Sequence, residues 1–246
     1  MKYMGSKNRI AKHLLPIMLK EAEKQGITKW VEPFCGGCNM IDKVPNTFER
    51  VACDINEYLI SMFKYLKDGF IPKDYYTKDE YVFVKNNKDL DKGLTGYIGF
   101  NCSYSGKWFG GFAGVVDTKG GVRNYQAEAK RNVLNQIKNL SDVDFVCDSY
   151  ENLDFENCII YNDPPYKSTT SYSVGNFDHD KFFDWCREQA KKNIVFVSEY
   201  EAPDDFECVW QQEVKSSLSA NGVTGGSKVS VEKLFRVKGI WYGVYR

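Results

Sequence analysis

Histidine is nearly missing from this chain: its 246 residues include two, His13 and His179. Histidine is the side chain that titrates nearest neutrality and the commonest metal ligand. Its scarcity leaves little room for histidine-based acid–base chemistry or for a zinc centre. Cysteine is present eight times, but only one C-x-x-C occurs, Cys35-Gly36-Gly37-Cys38. Without a second such pair, neither a zinc site nor thiol–disulfide chemistry is favoured, and no metal is expected. Cys53, Cys147 and Cys158 fall in apolar, strand-like runs, which suits reduced core thiols better than a disulfide frame. No run of about 18 apolar residues exists, so no membrane span is expected. The opening Met1-Lys2-Tyr3-Met4-Gly5-Ser6-Lys7 lacks the apolar stretch of a secretory leader. A cytoplasmic protein is the expectation.

Net charge is missing too, with 33 basic against 33 acidic residues. Taken alone, that argues against nucleic acid, which usually selects a basic excess. The average hides a pattern. Residues 101–138 carry Lys107, Lys119, Arg123, Lys130, Arg131 and Lys138 against Asp117 and Glu128, a net of +4. Residues 215–246 carry six basic residues against Glu232, a net of +5. Two basic segments on a neutral chain fit a one-sided phosphate-binding face.

With 43% hydrophobic residues, the chain can build one sizeable domain, or one domain with an insertion. Helical spacing of Ile10, Leu14, Ile17, Met18 and Ala22 predicts a helix over 7–24, with Ser6 as cap. Strands are expected at 29–34, 49–53, 143–147, 158–161 and 193–198, with helices at 55–66 and 180–192. Residues 231–237 and 240–245 flank Lys238-Gly239 as a hairpin. This alternation predicts a parallel, doubly wound α/β sheet closed by an antiparallel hairpin. Residues 68–135 break the rhythm and read as an insertion, and 216–228, rich in Ser, Gly and Asn, read as a mobile loop.

In such a sheet, ligands sit beyond the carboxyl ends of the strands. Four expected strands end in chemical signals: Phe34-Cys35-Gly36-Gly37, Asp54, Asp148 and Asn162-Asp163-Pro164-Pro165-Tyr166. Glycines admit a ligand close to the backbone. An acid after the second strand is where a ribose diol binds. No G-x-G-x-x-G or P-loop is present, so an adenosyl ligand without a pyrophosphate fits better than a dinucleotide or a nucleoside triphosphate. After the fourth strand, the prolines fix φ and remove two N–H donors. Asp163 and the Pro164 carbonyl are then acceptors beside the aromatic Tyr166. That combination is a ledge for a flat ring carrying an amino group, adenine or cytosine.

The order Tyr3-Met4-Gly5-Ser6-Lys7, Glu32-Pro33-Phe34-Cys35-Gly36-Gly37, Asp54, insertion, Asp163-Pro164-Pro165-Tyr166 resembles the Dam-type DNA adenine-N6 methyltransferases of the alpha arrangement. Ser105-Gly106-Lys107 and Gly110-Gly111-Phe112 are most similar to bacteriophage members. The resemblance spans nearly the whole chain, and its catalytic motif is more specific than those of the insertion. It implies a Rossmann-like S-adenosyl-L-methionine-dependent methyltransferase sheet of seven strands, the last antiparallel. Residues 1–67 and 136–246 would form the catalytic domain, and 68–135 an inserted, mostly helical target-recognition domain.

The resemblance also implies site residues. Asp163, Pro164, Pro165 and Tyr166 would be catalytic. Tyr3, Lys7, Pro33, Phe34, Cys35, Gly36, Gly37, Asp54, Ile55, Asp148, Ser149, Tyr150 and Asp163 would bind S-adenosyl-L-methionine, leaving S-adenosyl-L-homocysteine as product. Lys107, Lys119, Arg123, Asn124 and Lys130 are candidate contacts to double-stranded DNA. GATC is the target that the resemblance suggests, and a monomer or weak dimer is expected. Glu199 stands where many members have an uncharged polar residue, and its role is open. The ledge alone also admits N4 of cytosine, an RNA base or a protein glutamine amide. A DNA-binding relative without activity and a nicotinamide oxidoreductase are the other readings.

Overall fold

The computed structural model describes residues 1–166, 177–215 and 229–239. The expected strand 240–245 and loop 216–228 lie outside the described residues. In chain order the elements are α1 (Ala11–Gln25), β1 (Lys29–Glu32), β2 (Glu49–Asp54), α2 (Glu57–Lys67), α3 (Lys78–Asn86), α4 (Lys92–Asn101), β3 (Val115–Thr118), β4 (Gly121–Asn124), α5 (Tyr125–Ile137), β5 (Asp144–Cys147), β6 (Ile159–Asn162), α6 (His179–Gln189), β7 (Ile194–Glu199), β8 (Phe206–Lys215) and β9 (Val229–Val237). Among the described residues, seven strands form one sheet in the order β5-β2-β1-β6-β7-β9-β8, and β3 and β4 form a separate hairpin. β9 runs antiparallel to both of its neighbours. The expected α/β sheet of seven strands with an antiparallel closing strand is therefore present.

The chain divides into two compact units, Met1–Leu15 with Pro33–Leu153, and Pro16–Glu32 with Asp154–Arg246. In the first unit, β2 and β5 pair in parallel, Asp54 opposite Cys147. Asn56 starts α2 by accepting the Tyr58 and Leu59 amides on its side-chain oxygen, an N-cap that satisfies otherwise orphaned donors. Leu59, Met62, Phe63 and Leu66 then bury one face of the helix. α4 packs against α2 through small residues: a Cβ at Gly96 would collide with the Tyr58 carbonyl oxygen, and one at Gly93 with the Tyr65 ring. Glycine inside a helix costs about 1 kcal/mol relative to alanine, and here it permits backbone-level approach. Within residues 68–135, α4 is thus a packed helix, and the β3–β4 hairpin follows it.

In the second unit, β1, β6 and β7 are parallel. All four residues of β6 and all six of β7 are buried, as expected of strands covered on both faces. Strand order reverses between β1, whose chain goes on to β2, and β6, which leads to β7. This is the topological switch point, where ligands bind in open α/β sheets. The chain continues from β1 into Pro33-Phe34-Cys35-Gly36-Gly37 and from β6 into Asp163-Pro164-Pro165-Tyr166.

Local differences from the sequence reading have physical causes. The first helix is split, with a short 3-10 turn over Lys7–Arg9 capped by Ser6, then α1 from Ala11. Ile55 does not join the apolar face of α2; it precedes the cap and is 56% exposed. β8 was not expected as a strand. It lies at the sheet edge and keeps Glu207, Gln211, Gln212 and Glu213 exposed, so it carries no continuous apolar run.

Candidate active site

In the first unit the glycine turn is built around Tyr3. Gly36 has φ +46°, and a Cβ there would lie 2.8 Å from the Tyr3 ring. A Cβ at Gly37 would lie 2.6 Å from both Tyr3 Cβ and Asn39 Nδ2. The glycines were expected to admit a ligand, and on this side they admit Tyr3, itself an expected cofactor residue. The Tyr3 ring lies 5.4 Å from that of Phe100 in α4. Lys7 is buried, and its Nζ donates to the Gly5 carbonyl at 3.2 Å. Pro33 and Cys35 are buried and Phe34 is half-buried. Gln136, near the end of α5, carries no sequence signal for the site. Its Nε2 donates to the Gly37 and Cys38 carbonyls at 2.9 and 3.0 Å, holding the turn from behind. A polar residue in a helix normally reads as solvent-facing.

Asp54, at the end of β2, closes this turn. Its Oδ2 accepts the Gly36 amide at 3.0 Å and its Oδ1 the Asn56 amide at 2.9 Å. Each oxygen keeps a second lone-pair direction, a pair of acceptors that suits a vicinal diol. Burial pushes the carboxyl above its ordinary range, and the two backbone N–H bonds oppose that shift. The exposed Ile55 offers an apolar surface next to it. Past β5, Asp148 Oδ1 accepts the Ser149 amide and Asn152 Nδ2, both at 2.7 Å. Ser149 caps the short turn Tyr150–Asn152, and the buried Tyr150 ring lies 5.3 Å from that of Phe34. The thiol of Cys53, which donates to the Asp148 carbonyl, is pushed up to about 12 by burial; it is an inert core group rather than a nucleophile.

In the second unit, β6 ends on a braced platform. The Tyr161 and Ser198 hydroxyls share a hydrogen bond of 2.9 Å, and Asn162 Nδ2 donates to the Phe196 carbonyl at 3.1 Å. Pro164 is buried, while Asp163, Pro165 and Tyr166 are half-buried. The Tyr166 hydroxyl donates to Glu232 Oε2 at 3.0 Å, and its ring stands edge-on to Tyr200 with centroids 4.6 Å apart. Burial, with the charges of Asp163 and Glu232, pushes the Tyr166 hydroxyl well above its ordinary pKa, so it stays a donor. Glu199, 3% exposed at the end of β7, accepts the Tyr200 amide at 2.8 Å and lies 4.0 Å from His179 Nδ1.

Residues 3–203 match the family model of the D12 class N6 adenine-specific DNA methyltransferases. The chain belongs to that family. It is also 27% identical, over 216 aligned residues, to the Type II methyltransferase M.MjaIII of Methanocaldococcus jannaschii, covering 73% of this chain and 75% of that protein. Among solved structures, an RNA methyltransferase candidate, PH1948 from Pyrococcus horikoshii, is 10% identical, with 92% of this chain and 82% of that chain covered and a TM-score of 0.40. SMU.472, a methyltransferase candidate solved with SAH, is 10% identical, with coverages of 89% and 49% and a TM-score of 0.34. Of the amines that the ledge alone leaves open, family membership selects N6 of adenine in DNA.

In this methyltransferase the five candidate DNA residues fall into two groups. Lys107 and Lys119 are exposed, Lys119 at the tip of the β3–β4 hairpin. The other three are engaged within the protein. Arg123 makes a two-pronged ion pair with Glu128 at 2.9 and 2.7 Å and lies over the Tyr125 ring. Lys130 pairs with Asp74 at 2.7 Å. Asn124 caps α5, accepting the Gln126 and Ala127 amides at 3.1 and 3.0 Å. Among the described residues, no helix is long and apolar enough to cross a membrane.

Proposed function

We propose that this adenine-specific DNA methyltransferase takes S-adenosyl-L-methionine as donor and methylates an adenine that it has turned out of the duplex. What carries this reading is Asp163-Pro164-Pro165-Tyr166 at the carboxyl end of β6, the strand at the switch point, in a chain of this family. Tyr3, Lys7 and residues 33–37 bind the methionine end of the cofactor and line it. Asp54 holds the ribose hydroxyls, and Ile55, Asp148, Ser149 and Tyr150 flank the cofactor's adenine. Residues 1–67 and 136–246 serve catalysis, and 68–135 read DNA. In that segment Lys107 and, at the tip of the β3–β4 hairpin, Lys119 are exposed basic residues. GATC is the sequence to test first.

The chemistry follows from the ledge. A stacked base cannot reach a pocket, so it flips out, at a cost of a few kcal/mol. Stacking on Tyr166 offsets part of that cost. The N6 lone pair is delocalised into the ring and is a poor nucleophile. Hydrogen bonds from its two N–H groups to Asp163 and the Pro164 carbonyl favour a pyramidal nitrogen, and they stabilise the positive charge that grows during attack. The sulfonium methyl is already electrophilic, so alignment supplies much of the rest. No covalent enzyme intermediate is required.

Replacing Tyr166 with alanine removes the stacking surface. Capture of the extruded base is expected to weaken by about 1–3 kcal/mol, read as a changed fluorescence of 2-aminopurine at the target position; an unchanged signal counts against stacking. The whole reading is tested by expressing the protein in a host without adenine methylation and mapping modified adenines by sequencing. Methylated adenines at one short motif are expected. Soluble protein that leaves the DNA unmodified would contradict the reading.

A further inference from the structure

The prolines at 164 and 165 stiffen the backbone leading to Tyr166, but they do not set the torsions of its side chain. A stacking platform needs its ring plane fixed before the base arrives, because ordering a free side chain on binding weakens capture. Two contacts supply that restraint within the second unit. The edge of the Tyr166 ring meets Tyr200 at 4.6 Å and 78° between planes. The tip of the ring donates its hydroxyl proton to Glu232 Oε2 at 3.0 Å. We propose that Glu232, on β9, is the positioning residue of the platform: it anchors the Tyr166 hydroxyl so that the ring is preset for the extruded adenine. Glu232 lies outside residues 3–203, which match the family model, so membership assigns it nothing. The assignment rests on the reading of Tyr166 as the stacking residue.

The chemistry of the pair fits an anchor. A carboxylate is an acceptor only, and the tyrosine hydroxyl is a single donor, so the bond has one polarity. A hydrogen bond to a charged group is stronger than a neutral one. β9 is held on both sides, to β7 through Ser198↔Leu234 and Glu199↔Lys233 and to β8 through Gln212↔Glu232. The anchor therefore sits in the body of the sheet rather than on a loop.

The test uses the full chain with two duplexes, one with adenine at the target for the rate and one with 2-aminopurine there for the captured-base signal, in the variants Tyr166→Phe, Glu232→Ala, Glu232→Gln, the double variant Tyr166→Phe/Glu232→Ala, and Tyr166→Ala. Tyr166→Phe keeps the ring and loses the anchor; Glu232→Ala loses the anchor from the other side. Each is expected to lower kcat and the captured-base signal by roughly tenfold or more, the scale of a lost hydrogen bond to a charged group, with DNA affinity little changed. The double variant should be no worse than the worse single one. Glu232→Gln, whose amide oxygen still accepts, should recover most of the loss. A wild-type signal and rate in Glu232→Ala, or effects that multiply in the double variant, would overturn the assignment. Should Glu232→Ala fail to fold, as read by its melting curve, a loss in Tyr166→Phe with recovery in Glu232→Gln supports it, and wild-type behaviour of Tyr166→Phe sinks it. Tyr166→Ala separates the two levels. If that variant also leaves the signal unchanged, the platform itself is refuted; if it abolishes the signal while Glu232→Ala is silent, only the role of Glu232 is.

Discussion

Asp163→Ala is expected to lower methyl transfer by at least about 10²–10³-fold, the range seen when one preorganised partner of a developing charge is removed. The adenine amine is nucleophilic only when its lone pair leaves conjugation with the ring. In the proposed mechanism Asp163 is the charged acceptor that favours this state and faces the positive charge as it forms. The Pro164 carbonyl cannot replace it, being neutral and a single acceptor. The side chain is half-buried just past β6, outside the strand's buried core, so the fold should survive. Single-turnover transfer and a melting curve, measured on the same preparation, separate the two effects. Asp163→Asn keeps an acceptor and loses the charge, and should fall between alanine and wild type. Turnover of Asp163→Ala near the wild-type rate would refute the mechanism.

Asp54→Ala is expected to raise the dissociation constant of S-adenosyl-L-methionine by about 10- to 100-fold, since each hydrogen bond to a charged group contributes roughly 1.5–3 kcal/mol. The loss should appear in cofactor affinity and KM, with kcat at saturating cofactor changed only a few-fold, because in the proposed reading the residue binds the ribose in ground and transition states alike. Titration calorimetry reads it directly; unaltered affinity would remove Asp54 from the site. The same residue gives a pH dependence. Burial raises its pKa in the fold, so between the ordinary value near 3.9 and the raised one the folded chain holds more protons than the unfolded chain. The stability that this group contributes therefore falls as pH rises through that window. Cofactor affinity runs the opposite way. In the proposed reading the ionised form accepts the diol, so affinity is expected to fall as pH drops through the raised pKa, earlier than it would for an ordinary carboxylate.

The fold was legible wherever apolar residues dictated it. β6 and β7 are buried on both faces, and apolar runs marked β2, β5, β6 and β7 to within a residue or two. Their carboxyl-end residues, Asp54, Asp148 and Asp163, were the candidates easiest to pick out, because an acid directly after an apolar strand stands out. β8 was hidden because an edge strand exposes half its residues and needs no apolar run. Gln136 and Glu232 were hidden for another reason. Each is polar in an element that has a solvent face, and only in the folded chain does Gln136 turn to the glycine loop and Glu232 to Tyr166. Residues 68–135 were the least legible. In the sequence, Arg123 and Lys130 read as free cations for DNA, whereas the fold pairs them with Glu128 and Asp74. Partners five and 56 residues away in the chain cannot be assigned from charge pattern alone.

The central claim is that a carboxylate-and-proline ledge hands an adenine amine to the methyl of S-adenosyl-L-methionine. The most direct measurement is the fate of that methyl. Duplex DNA is incubated with purified protein and methyl-labelled S-adenosyl-L-methionine, digested to nucleosides, and the labelled nucleoside identified. The account predicts label in N6-methyladenine alone, falling to background when Asp163 is alanine. Label in N4-methylcytosine, or label in N6-methyladenine that persists without Asp163, would contradict it.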